Sequence, residues 1–226
     1  MPIRAITFDL DDTLWPIAPV IERAERLMHR WLAENCPQVA RSHSLERLQQ
    51  MRMTLDLQRP EMGHDFGLLR RTVLGQAMAP LGYDEDTIEA AYQVFYAARN
   101  QVELYPDVKP ALAQLCGRYR LAGLSNGNAD LKNIGLERYF RFSIHACDVG
   151  HLKPHRKIFQ AAQERLGLPA NQILHVGDHL DHDVSGALRA GMRAVWVNRG
   201  GQNPGPGEFA VILDLEQLPG LIDSMD

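Results

Sequence analysis

Lysine is nearly missing from this 226-residue chain. Lys109, Lys132, Lys153 and Lys157 are the whole set, so twenty of the 24 basic residues are arginine. The setting of each lysine is therefore worth reading. Cysteine is scarce too: Cys36, Cys116 and Cys147 are odd in number, widely spaced and form no CxxC pair, which reads as a reduced, intracellular protein. No apolar run is long enough for a membrane span or a signal-peptide core. The N-terminal stretch is about six residues long and is broken by Arg4. There is no basic run, and the net charge is −4, which argues against a nucleic-acid partner. With neither export signal nor span in view, the expected location is the cytoplasm. Internal repeats and low-complexity tracts are also missing.

What is present is an ordinary globular composition, 45% hydrophobic and 23% charged. The length suits one or two domains with a proper core. The opening "IRAITF", with Ile3, Ala5, Ile6 and Phe8, reads as a short buried strand. From Asp107 onward strands and helices alternate. "YRLAGLSNG" (119–127), "FSIHACDVG" (142–150), "QILHVGD" (172–178) and "RAVWVN" (193–198) read as strands. "HRKIFQAAQERLGL" (155–168) carries Ile158, Phe159, Ala162 and Leu166 at helical spacing. "DVSGALRAG" (183–191) is a helix stopped by Gly191. "GGQNPGPGE" (200–208) is a Gly/Pro loop, and "FAVILDL" (209–215) a last edge strand. This alternation predicts an α/β fold, a parallel sheet with helices on both faces. Between Trp15 and Leu104 the pattern is helical throughout, in "IERAERLMHRWLAE", "LERLQQMRMTLDLQ", "FGLLRRTVLGQAMAPLG" and "DTIEAAYQVFYAARNQ". Residues 15–104 therefore read as a small all-helical cap inserted into a discontinuous core of 1–14 and 105–226. "YPDV" (105–108) marks the return to that core.

The first strand ends in "FDLDDTLW" (8–15), which crowds Asp9, Asp11 and Asp12 together. Like charges that close repel, and each carboxylate favours its own water, so a cation must offset the cost. Asp9, Asp11 and Asp178 are hard oxygen donors with no His or Cys among them, a set that favours Mg²⁺. With the metal bound, Asp9 can attack an electrophilic phosphorus, and Asp11 can carry a proton as general acid and base. A solvated acidic turn or helix cap is the plainer reading of the same residues. A calcium loop fails, because its sixth position is Leu14 rather than Gly and its twelfth is Val20 rather than Glu.

Three more polar features fall at strand ends, where ligands bind in open α/β sheets. In "GLSNG" (123–127), Ser125, Asn126 and the backbone N–H groups could bind phosphate oxygens, or simply form a turn. No GxSxG elbow is present. In "GHLKPH" (150–155), Pro154 can open the following helix and pin Lys153 extended before it, where it would neutralise a phosphoryl group or the nucleophile. The alternative is a surface lysine. In "HVGDHLDHD" (175–183), Gly177 lets the backbone turn, Asp178 is placed as a metal ligand, and Asp183 as a second ligand or a support for Lys153. His175, His179 and His182 raise a zinc alternative. Against it, His175 lies inside the strand pattern, and the other two read as loop or helix-start residues.

Together these residues resemble the four motifs of the haloacid dehalogenase-like superfamily. They are DxDx[T/V] at Asp9–Thr13, Ser125 at a strand end, Lys153 before Pro154, and GDxxxxD from Gly177 to Asp183. The match covers nearly the whole chain in the right order. It implies a Rossmann-like sheet with the cap between the first and second motifs. Asp9 would form an aspartyl-phosphate. Asp11 would protonate the leaving group, then activate water, and would give its backbone carbonyl to Mg²⁺. Thr13 would brace the turn. Ser125, Asn126 and Lys153 would hold the phosphoryl group, Lys153 also steadying Asp9. Asp178 would bind Mg²⁺, with Asp183 in support. The implied substrate is a small-molecule phosphate monoester, and the cap would close over the site about hinges at 14/15 and 104/105.

Dehalogenases of the superfamily lack the acid two residues after the nucleophile and need no metal, so Asp11 and Asp178 point away from them. Phosphosugar mutases stay open. "TFDLDDTLW", "SNGNA", "ILHVGDHLDHDVSGALRAGM" and "PVIERAE" are most similar to a bacterial branch that dephosphorylates flavin mononucleotide and the ribityl-aminouracil phosphate of riboflavin synthesis. His155 departs from that branch, where many relatives carry an acidic or small residue. Trp15, His64, Arg70 and Arg71 are residues that could touch a substrate; core packing for Trp15 and a solvated face for the others are the alternatives. Two readings of another class stand beside the enzyme. A receiver-like signalling module would place its acceptor at a later strand end and needs no helical insertion. A non-catalytic binding protein would have no use for a filled set of catalytic positions. The expected assembly is a monomer or homodimer.

Overall fold

In the computed structural model the N-terminal apolar run forms β1 (Ala5–Phe8), with all four residues buried. The structure describes residues 2–203, 207 and 209–225. Within the Gly/Pro loop, residues 204–206 and 208 lie outside that set. By backbone contacts the chain divides into two units: Met1–Pro16 with Glu103–Asp226, and Ile17–Val102. The sequence pattern sets the junctions at 14/15 and 104/105.

The unit Ile17–Val102 is helical. It comprises α1 (Ile17–Asn35), α2 (Pro37–Ser42), α3 (Leu45–Gln58), α4 (Phe66–Met78) and α5 (Glu85–Arg99). Helix α1 buries Val20, Ala24, Met28 and Leu32, one stripe at four-residue spacing. Three helices start on side-chain caps. Ser44 accepts from Arg47 N (3.2 Å), Asp65 from Leu68 N (2.8 Å) and Asp84 from Thr87 N (2.9 Å). Met28, Leu32, Leu69, Leu74, Met78 and Phe95 belong to one apolar core of this unit.

The other unit continues with α6 (Val108–Leu115), β2 (Arg120–Ser125), α7 (Leu131–Ile134), β3 (Phe142–His145) and α8 (Ala146–Val149). It is completed by α9 (Arg156–Leu166), β4 (Ile173–Gly177), α10 (Gly186–Arg189), β5 (Arg193–Val197), β6 (Ala210–Ile212) and α11 (Leu218–Met225). The six strands form one parallel sheet in the order β3-β2-β1-β4-β5-β6. The strand order winds away from β1 first in one direction and then in the other, so the right-handed crossover rule assigns α6 to one face and α9 and α10 to the other. Ile158, Phe159 and Ala162 of α9 pack with Ile173, Val184 and Trp196. Phe8 pairs with Gly123 on one side and Val176 on the other. Residue 9 therefore leaves the sheet between the ends of β2 and β4, at the point where the strand order reverses, the usual ligand crevice of such sheets.

Three local readings are corrected. The segment 142–150 is not all strand: β3 stops at His145, whose N–H donates to Asp148 Oδ2 (2.8 Å), and the chain turns into α8. The helix read from Asp183 starts earlier, as a π-helical stretch over Leu180–Ser185 whose first turn is capped by His179 Nδ1. Pro154 is not the first residue of α9. His155 caps that helix by accepting from Lys157 N (3.2 Å), and the Lys153–Pro154 peptide before it is cis. Gly191 does end its helix, in the left-handed conformation at φ +81°.

Candidate active site

The four polar features meet, although Lys153 comes from the loop after α8 and not from the end of β3. Asp9 emerges from β1 with 6% of its surface exposed. Its Oδ1 accepts from Lys153 Nζ at 2.5 Å, and its Oδ2 from Thr13 Oγ1 at 3.1 Å. The same Thr13 hydroxyl lies 3.0 Å from Asp178 Oδ1, so one proton is shared between two carboxylates. Lys153 Nζ also donates to Asp183 Oδ1 (2.6 Å). Asp183 accepts further from His175 Nε2 (3.1 Å) and, through Oδ2, from His179 N (3.0 Å). Ser125, at the end of β2, is buried, and its Oγ accepts from Gly127 N (3.0 Å), which leaves its own proton to donate.

The loop after β1 is shaped by Asp12, at φ 61°. That conformation is uncommon for a residue with a Cβ, though Asp tolerates it better than most. The turn lets Asp12 N donate to Trp15 O (2.7 Å) and Leu14 N to Leu10 O (2.8 Å). Asp11, partly exposed, accepts at Oδ1 from Trp15 Nε1 (2.9 Å). Trp15 is thus core packing, fully buried, and it also aims Asp11.

The charges do not balance from the chain alone. Three carboxylates face one buried ammonium. Burial raises Asp9 well above the carboxylate range; Lys153 opposes this, while Asp183 and Asp178 add to it. Burial and then Asp183 push Asp178 up to about 6. Burial also works against charge on Asp183 and Lys153, but their mutual contact outweighs it, so Asp183 is held low and Lys153 high. One carboxylate oxygen each from Asp9, Asp178 and Asp183 lies within 4.8 Å of the others. Asp183 accepts three of these hydrogen bonds, from Lys153, His175 and His179 N, against two on Asp9 and one on Asp178, so Asp9 and Asp178 keep more lone-pair capacity for a metal. An uncompensated, all-oxygen pair of this kind fits a hard divalent cation. The zinc alternative has no support. Both nitrogens of His175 are engaged by Thr7 and Asp183, and among the described residues the acidic trio is the sole metal-competent cluster.

Other placements were not legible in the sequence. The Asn126 side chain spends both ends on the Lys153 backbone: Nδ2 donates to its carbonyl (3.1 Å) and Oδ1 accepts from its N–H (2.6 Å). As a phosphate ligand Asn126 is therefore left with its backbone N–H, and its side chain acts as a clamp. Arg199 forks onto Asp107 (3.1 and 2.8 Å), donates to Thr13 O (3.0 Å) and stacks on Tyr105 (3.8 Å), tying the first loop to the end of β5. Nothing in "YPDV" beyond its lone acid could have signalled this. Arg70 braces the helical unit from a largely buried position instead of standing on a solvated face, while Arg71 stays partly exposed. Arg70 pairs with buried Glu25 (3.2 Å) over the Phe95 ring, and Arg71 with Glu89 (2.6 Å) over Tyr92. Burial pulls Arg70 down to about 10, with Glu25 opposing. His64 lies in the turn before α4.

This geometry is that of a phosphoryl-transfer hydrolase, and comparison with known proteins agrees. Residues 3–191 match the haloacid dehalogenase-like hydrolases, and the chain belongs to that family. The 5-amino-6-(5-phospho-D-ribitylamino)uracil phosphatase YigB of Escherichia coli is 35% identical over 97% of this chain and 91% of its own length. A glyceraldehyde 3-phosphate phosphatase of Methanopyrus kandleri is 33% identical over 88% of this chain and 85% of its own. Among solved structures, a 2-haloacid dehalogenase from Pseudomonas syringae pv. tomato is 38% identical over 99% of this chain and all of its own, with a TM-score of 0.92. Within the family this chain is a phosphatase. Among its described residues no helix is long and apolar enough to cross a membrane.

Proposed function

We propose that this phosphatase is Mg²⁺-dependent and hydrolyses a small-molecule phosphate monoester through a phosphorylated Asp9. The observation that supports this most is the convergence of Asp9, Thr13, Lys153, Asp178 and Asp183 in one buried hydrogen-bonded cluster with an excess of negative charge. The Asp9 and Asp178 carboxylates and the Asp11 carbonyl would hold the metal, which would supply charge neutralisation for the attacking carboxylate and the phosphoryl oxygens. Lys153 fixes one Asp9 oxygen and offers its ammonium to the phosphoryl group. The Ser125 hydroxyl and the backbone N–H groups that follow it hold the remaining oxygens.

An Asp9 oxygen forms a bond to phosphorus as the ester P–O bond breaks, and Asp11 donates its proton to the departing oxygen. Water then attacks phosphorus and gives a proton back to Asp11. The Asp9–phosphorus bond breaks and inorganic phosphate leaves. Uncatalysed monoester hydrolysis is so slow that roughly 20 kcal/mol of barrier lowering is needed, most of it from positioning and charge. The substrate class we favour is a sugar-alcohol phosphate carrying a nitrogenous ring, flavin mononucleotide or a ribityl-aminouracil phosphate. The support is the name of the YigB relative and the motif resemblance.

The test is hydrolysis of an aryl phosphate by wild type and Asp9→Asn, with Mg²⁺ and with chelator, followed by a panel containing flavin mononucleotide and small sugar phosphates. Turnover that needs both Asp9 and Mg²⁺ is expected; turnover unchanged in Asp9→Asn would overturn the nucleophile assignment. The dehalogenase neighbour motivates one added arm, chloride release from 2-chloropropionate, which should be nil.

A further inference from the structure

We propose that His175, with Thr7 behind it, is a positioning residue for the phosphoryl-transfer step, closing a hydrogen-bond circuit that starts and ends on β1. The proposal rests on the phosphatase reading. His175 sits in the middle of β4, directly across from Thr7 of β1 in the sheet register, and is fully buried. Its Nδ1 lies 2.8 Å from Thr7 Oγ1 and its Nε2 3.1 Å from Asp183 Oδ1. Its ring meets Phe159 edge to face at 5.4 Å, so the imidazole is held at both nitrogens and against an aromatic ring.

For a neutral ring, donor and acceptor rules set the direction of each bond. An ionised Asp183 only accepts, so Nε2 carries the hydrogen. Nδ1 of the neutral ring is then an acceptor, and Thr7 must be the donor. Burial favours the neutral ring. The circuit runs from Thr7 Oγ1 to His175, from His175 to Asp183, and from Lys153 to both Asp183 and Asp9. Asp9 follows the last residue of β1, and its N–H still donates to Val176 O (2.9 Å), so the extended alternation carries on and residues 7 and 9 face the same side of the sheet. β1 therefore orients its own nucleophile by way of β4 and the lysine loop.

The choice of a neutral donor has a physical reason. A second cation against Asp183 would draw the carboxylate away from Lys153, and an apolar residue would leave an Asp183 lone pair unmet in a dry site. A neutral N–H holds the carboxylate plane while leaving its charge to the lysine. His175 touches neither the substrate nor the reacting atoms in this scheme; it acts through Asp183 and Lys153, as outer-shell partners do at other sites.

The experiment compares His175→Leu, His175→Gln and Thr7→Val with wild type by Mg²⁺-dependent turnover of an aryl phosphate, with folding followed by circular dichroism. The expected result is a kcat about 10- to 100-fold lower in His175→Leu with KM nearly unchanged. His175→Gln, whose amide reaches the Nε2 position, should recover most of the loss. Thr7→Val should cost about 3- to 10-fold, because it removes only the far end of the circuit. An unchanged kcat in His175→Leu, or equal impairment of the Gln and Leu variants, would overturn the proposal. If His175→Leu does not fold, the Gln and Thr7→Val arms decide, and a Thr7→Val enzyme with full kcat refutes the circuit. Nitrogen-15 NMR of the wild-type imidazole is independent of turnover. It should show the Nε2–H tautomer even if the enzyme proves inactive on every ester, and the Nδ1–H tautomer would refute the assignment.

Discussion

Gly177, the last residue of β4, separates two accounts of why a glycine stands there. Its backbone is ordinary strand, not left-handed, so a strand-propensity argument expects alanine to be tolerated or mildly stabilising. The site geometry expects the opposite. A Cβ built on Gly177 would lie 2.3 Å from Asp183 Cγ, 2.5 Å from its Oδ2 and 2.6 Å from its Cβ. Carbon atoms pack at about 3.5 Å or more, so Asp183 must retreat by about 1 Å. It cannot do so freely, because Oδ1 is held by Lys153 and His175 and Oδ2 by His179 N. Losing two of those charge-assisted bonds, each worth about 1.5–3 kcal/mol, gives a cost of roughly 3–6 kcal/mol for Gly177→Ala. Displacing Lys153 on that scale should lower kcat about 100-fold. Urea unfolding monitored by circular dichroism reads the first quantity and aryl phosphate turnover the second. A Gly177→Ala enzyme within about 0.5 kcal/mol of wild type, the scatter of neutral substitutions, and with full kcat would show that the Asp183 cradle does not matter.

Further outcomes follow from other contacts. Trp15→Phe keeps the buried ring but removes the donor to Asp11, so kcat should fall about 10-fold with little loss of stability; an equal loss of both would mean that packing alone is at stake. Asn126→Ala frees the Lys153 backbone, and kcat should drop about 10-fold; an unchanged kcat in a burst-free assay would show the clamp to be idle. Asp107 would be raised by burial, but Arg199 and Leu215 N hold it below the usual carboxylate value of about 3.9. Its share of the stability is therefore complete above about pH 4 and is lost as pH falls through the folded value. Urea midpoints from pH 6 to pH 3 should fall more steeply for wild type than for Asp107→Asn, and parallel curves would refute the assignment.

What the sequence made legible was periodic or local. The parallel sheet was readable because its strands are apolar runs set between helices at regular intervals, and the helical stretch "LERLQQMRMTLDLQ" coincides with α3. The motif aspartates were readable because they follow strand ends, whereas Lys153, in the loop after α8, was readable as one of few lysines set just before a proline. The sequence did not reveal the partners. Asn126 and Lys153 are 27 residues apart, Asp107 and Arg199 are 92 apart, and Thr7 and His175 are 168 apart. No local pattern encodes such pairings, which exist only once the sheet register is set. His175 reads as one more residue of a buried strand, and a buried histidine in a strand carries no mark of what its nitrogens touch. β3 was overrun for a related reason. "HACDV" is apolar enough for a strand, and it is the Asp148 carboxylate, bonding back to His145 N, that turns it into helix.

The place of β1 at the middle of the sheet also bears on how the chain is made. Its neighbours in register are Arg120 on one side and Ile173 on the other, opposite Ala5. At translation rates of about 5–20 residues per second, a ribosome needs on the order of ten seconds or more to supply the second of them. The helical segment Ile17–Val102, with its own apolar core, emerges first. Through that interval the strand that will hold the nucleophile is a short apolar ribbon with both edges open, a form that pairs readily with a neighbouring chain. Nascent chains should therefore call on holding chaperones early, and a circular permutation that opens the chain within the helical segment, placing β1 after β6, would change the order in which the sheet assembles without altering a single contact of the site.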